Sequence, residues 1–113
     1  MAGTLKLLAS PAYIANAAAN IYTPAGGSAL IFDVVRHIHV ANRTGGAVTF
    51  SLYVGASAGS AAGTELFGTV SVAANATLDY YCSLRLTSTT FLSGIASAAT
   101  SLVITVEGEQ GVI

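Results

Sequence analysis

From Val48 to Val54 the chain alternates without a break: Val48, Phe50, Leu52 and Val54 share one parity, Thr49, Ser51 and Tyr53 the other. A period of two marks a strand with one face against a core. Thr77 to Leu86 repeats the pattern, with Leu78, Tyr80, Cys82, Leu84 and Leu86 set against Thr77, Asp79, Tyr81, Ser83 and Arg85. Leu102, Ile104 and Val106 mark another strand, opposite Ser101, Val103, Thr105 and Glu107. Shorter stretches at Leu66 to Val72 and Phe91 to Ala96 read the same way. Thr4 to Leu8 and Ala19 to Tyr22 predict edge strands.

The segment from Leu30 to Asn42 is harder to read. Arg36, Ile38 and Val40 occupy its even positions, yet Ile31 to Val35 is apolar on both parities apart from Asp33. Either that end is covered on both sides, or a bulge near Val34 flips the register. Asn42-Arg43-Thr44-Gly45-Gly46 joins it to the next strand, and Ala73-Ala74-Asn75-Ala76 forms a second turn. Seven to nine short strands with these turns predict an all-β antiparallel sandwich of Greek-key or jelly-roll topology. Residues 21–113 form its single domain, and residues 1–20 are an N-terminal arm or an edge segment. The expected core sets Phe50, Leu52 and Val54 against Leu78, Leu84, Leu102, Ile104 and Val106.

Composition narrows the function. Only 8% of the 113 residues are charged, and Ala, Gly, Ser and Thr make up about half the chain. An average domain is about a quarter charged. A surface of small uncharged groups packs against other protein with little charge to desolvate. The net charge of −1, with no basic run, leaves no footprint for nucleic acid. Mean hydropathy is +0.69, but prolines, asparagines and glycines interrupt the uncharged stretch from Leu7 to Phe32, so no membrane segment is expected. The N-terminus makes a poor signal peptide.

Candidate chemistry is sparse. Gly55-Ala56-Ser57-Ala58-Gly59 spells G-x-S-x-G, but small residues replace the helix such an elbow requires, and both histidines precede Ser57. Ala56 to Thr64 reads as a low-complexity loop. Cys82 lies on the apolar parity and reads as a buried thiol. Tyr80 and Tyr81 fall on opposite faces, so sheet packing explains them better than a stacking surface. Asn42-Arg43-Thr44 and Asn75-Ala76-Thr77 match glycosylation sequons but serve as turn chemistry. His37 and His39 share a strand face, a beginning for a metal site. Asp33 has their parity but lies too far along the strand, and no glutamate follows the second histidine as in a cupin. The expectation is therefore no catalytic, cofactor-binding or metal site, and no enzyme activity.

The order of segments carries a resemblance. Ile21-Tyr22-Thr23-Pro24-Ala25-Gly26 precedes a strand ending Ile38-His39-Val40-Ala41-Asn42-Arg43-Thr44-Gly45-Gly46. Val48 to Gly55, the Val72 to Leu78 turn and a closing Leu102 to Gly108 strand follow. From residue 20 onward this resembles the small β-sandwich structural proteins of tailed bacteriophage virions: head decoration (cement) proteins and tail or fibre accessory modules. The resemblance implies a non-enzymatic protein, commonly a homotrimer, located in the virion after assembly in the host cytoplasm. Its partner would be the major capsid protein or another virion protein, with no nucleic acid and no membrane. A tail, neck or fibre module is the alternative, and a carbohydrate- or receptor-binding sandwich is the other.

Overall fold

A computed structural model describes residues 4–23, 31–56, 59, 63–86 and 90–112. They form eight strands: β1 (Thr4–Tyr13), β2 (Ala19–Tyr22), β3 (Ile31–Asn42), β4 (Val48–Gly55), β5 (Glu65–Val72), β6 (Thr77–Leu86), β7 (Phe91–Ala96) and β8 (Leu102–Val112). One sheet has the order β1-β8-β3-β6 and the other β2-β7-β4-β5, with antiparallel pairing in both. First pairs with last, second with seventh, third with sixth and fourth with fifth. This is a long hairpin rolled over itself, the jelly-roll solution for an eight-strand sandwich.

The core lies between the sheets. Phe50, Leu52, Leu102, Ile104 and Val106 are buried as the alternation predicts, and Val54, Leu78 and Leu84 pack against them part-buried. Residues 4–13 and 19–22 belong to the sandwich as edge strands, and Ile14 between them is buried. Pro24 to Gly27 and most of the Ala56 to Thr64 loop, Ser57 included, lie outside the described residues.

β3 carries the bulge its apolar run requires, centred on Arg36. Val35 pairs with Gly108 and His37 with Glu107, so two residues of β3 advance against one of β8. Asp33 and Val35 therefore face the core, Arg36 and His37 both face out, and Ile38 and Val40 return inward. This corrects two sequence expectations. Arg36 does not share the inward face of Ile38, and Asp33 lies opposite the histidines, 1% exposed, accepting a hydrogen bond from Gln110 Nε2 at 2.9 Å. Gly108 allows the approach, because a Cβ there would sit 2.0 Å from the Val34 carbonyl oxygen.

At one end of the sandwich the buried side chain of Asn42 fastens two turns together. Its Nδ2 donates to the carbonyls of Gly46 (2.9 Å), Val72 (3.0 Å) and Ala73 (3.2 Å), and its Oδ1 accepts from the Thr44 backbone N–H (2.9 Å) and hydroxyl (2.8 Å). Neighbouring Arg43 turns back to the Tyr13 hydroxyl at the end of β1. Asn42 is thus a structural clip, and its burial closes it to a glycan.

Candidate functional site

Charge is divided unequally between the two sheets. Lys6, Asp33, Arg36, Asp79, Arg85, Glu107 and Glu109 all lie in strands of the β1-β8-β3-β6 sheet, together with both histidines. The other sheet contains one charged residue, Glu65, and Arg43 lies in a turn. Pairing places Thr49 beside Ser71, Ser51 beside Ile95 and Tyr53 beside Ser93 on the outward side of that second sheet, with Ser93 itself covered at 1% exposure. Its outer face is thus uncharged over its centre, and a hollow of 190 Å³ opens on it between Thr49, Ser51, Tyr53, Thr69, Ile95 and Ser97. A second hollow, of 80 Å³, is lined by Ala9, Tyr13, Ile21, Gly94 and Ile104 among others. Both are smaller than the ~300 Å³ at which ligand pockets begin.

The first sheet's outer face gathers the polar chemistry. Because the bulge turns Arg36 outward, its guanidinium pairs with Glu109 at 2.6 Å and donates to Ser83 Oγ at 2.6 Å. His37 and His39 follow on the same face, ring centroids 6.2 Å apart. Register brings Asp79 of β6 directly opposite His39, and Tyr81 and Glu107 opposite His37 from either side. Asp79 Oδ1 then lies 2.7 Å from His37 Nε2 and 2.6 Å from His39 Nδ1. Glu107 Oε1 is 3.1 Å from His37 Nδ1, and the Tyr81 ring stacks on the His37 ring at 4.4 Å and 6°.

Desolvation alone would lower the pKa of His37. The hydrogen bonds and charges of Asp79 and Glu107 outweigh it and leave that pKa raised. The hydrogen bonds from His39 and His37 lower the pKa of Asp79. Along β3 itself the two histidines have no third partner, because Asp79 is forty residues away and adjacent only across the β3–β6 ladder.

The remaining candidates separate. Cys82 faces inward, half-buried, its Sγ donating to the Val35 carbonyl at 3.4 Å, and desolvation by burial raises its thiol pKa. It therefore lies on the opposite side of the sheet from both histidines. Tyr80 packs inward, edge-on to Phe67 at 4.7 Å, while Tyr81 faces out, as alternation predicts. Asn75 adopts a positive φ of 54° in its turn.

No family model matches the chain, and no curated protein matches it. Among solved structures, a chain from the appendages of Bacillus endospores, which form a novel family of disulfide-linked pili, superposes with a TM-score of 0.55. It is 19% identical, and the match covers 97% of this chain and 88% of that one. The similarity lies in the fold.

Proposed function

We propose that this chain is a non-enzymatic structural subunit of a multi-copy particle, seated through the outer face of its second sheet. The observation that carries this is the segregation of charge. Four strands with a single carboxylate present Thr, Ser, Tyr and Ile outward, a face that covering would desolvate at little cost, while the charged sheet suits water. The specific setting is decoration of a tailed-phage capsid, with the chain as a homotrimer on the shell formed by the major capsid protein. Support for that setting comes from the resemblance of the segments after residue 20. Repeated weak contacts across many copies would supply the affinity.

A fibre subunit is the second reading, favoured by the fold it shares with a pilus protein. Serial disulfide links need two thiols per subunit, and this chain has one, turned inward. A fibre of this chain would therefore be held by non-covalent contacts.

The test places charge on each face. Ile95→Lys and Ser71→Lys should abolish self-association in analytical ultracentrifugation and binding to particles, with the circular dichroism spectrum unchanged. Thr105→Lys, on the charged sheet, should leave both intact. If the second-sheet variants associate and bind like the parent chain, that face is not the seat. If imaging finds a few copies at the tail vertex, or a filament, the particle is a tail or a fibre and not a decorated shell.

A further inference from the structure

We propose that His37, His39 and Asp79 form a binding site for a divalent transition-metal ion of the zinc class on the outer face of the charged sheet. Each of the three side chains offers one donor atom, and these atoms all lie within 4.8 Å of one another. Two imidazoles and a carboxylate are the donor set that borderline ions such as zinc, nickel and copper prefer.

The geometry is held by more than proximity. Asp79 Oδ1 is the shared acceptor for the two ring N–H groups that face it, which sets both imidazole rings toward one carboxylate. An ion takes the place of those two hydrogens: the one on His37 Nε2 leaves to solvent, and His39 turns to the tautomer with its hydrogen on Nε2. Tetrahedral zinc, with bonds of about 2.0–2.1 Å, spaces its donors ~3.3 Å apart, so the 2.6 and 2.7 Å contacts must open by ~0.7 Å and the widest donor pair, within 4.8 Å, must close by up to ~1.5 Å. Asp79 is 41% exposed and His39 36% exposed at the side chain, which leaves room for that movement.

His37 is the fixed member. Its Nδ1 donates to Glu107, and Tyr81 stacks on its ring. When Nε2 binds an ion, the Nδ1–H bond to Glu107 is retained. This is the carboxylate–histidine–metal relay that orients a ligand and raises its basicity. Glu107 is thus a positioning residue, and the open coordination position faces solvent.

Isothermal titration of chelator-treated protein with zinc sulfate tests this. One ion per chain is expected, with copper and nickel competing and millimolar calcium leaving the isotherm unchanged. His39→Ala and Asp79→Asn should each weaken zinc at least tenfold, and Glu107→Gln should weaken it about 10–100-fold, the range for an outer carboxylate. Urea midpoints measured without metal separate lost binding from lost folding. On zinc addition, the ring-carbon NMR signals of His37 and His39 should shift together. Absence of saturable binding, a stoichiometry of one ion per three chains, displacement by calcium, or full affinity in folded His39→Ala would each overturn the site.

Discussion

Two side chains show how differently a polar residue can be used in this sandwich. Asn42 spends every polar atom of its amide inside the protein, bonding three carbonyls and both polar groups of Thr44. Asn42→Ala strands those partners, some of them buried, at about 1–3 kcal/mol. A lower urea midpoint with an unchanged denaturant slope is the expected result. His37 instead turns both ring nitrogens outward to carboxylates, Nε2 to Asp79 and Nδ1 to Glu107. Its folded pKa lies above 6.5, so its contribution to stability is complete below 6.5 and fades as pH rises through the folded value. Asp79 has the opposite sign: its pKa is lowered from 3.8, and its contribution is present above 3.8 and lost as pH falls through the folded value. The pair therefore stabilises the fold most between those limits. An NMR titration should place the His37 midpoint above 6.5, and Asp79→Asn should move it down.

At the scale of elements, the bulge in β3 decides which chemistry reaches the surface. Gly108 stands opposite it, where an added Cβ would meet the Val34 carbonyl oxygen and the Leu8 side chain. Backbone cannot yield as a flexible side chain can, so Gly108→Ala should cost about 3 kcal/mol or more, near the upper end for single substitutions. It should also broaden the His37 signals, because the bulge sets that ring's direction. A substitution there that leaves the urea midpoint unchanged would mean that the close approach is absent. The strands were legible in the sequence because Phe50, Leu52 and their neighbours keep a strict period of two. The bulge was legible only as a conflict, since Ile31 to Val35 fits neither parity, and its place at Arg36 required the pairing partner. Asp79 was visible as a solvent-side residue of its strand. Its meeting with His39 was hidden, because alternation assigns a face and not a neighbour.

For the whole molecule, the order β1-β8-β3-β6 was the least legible feature: period and turn signals fit several ways of rolling eight strands. That order places β8 in the interior of its sheet, bonded to β1 on one side and β3 on the other. A ribosome makes β1 about a hundred residues before the strand that joins it to the rest. Until β8 emerges, β1 has no partner in its own sheet and one whole edge of β3 is open. The second sheet, whose strands end at Ala96, is complete before that moment. Folding of this sheet must wait for β8, through contacts of very long sequence separation, which is the slow regime for small domains. During that interval the nascent chain carries open strand edges and few charges to repel a like chain. Losing β8 by early termination would leave a half-assembled sandwich prone to aggregate, so the quality of this sandwich is decided when its eighth strand leaves the ribosome.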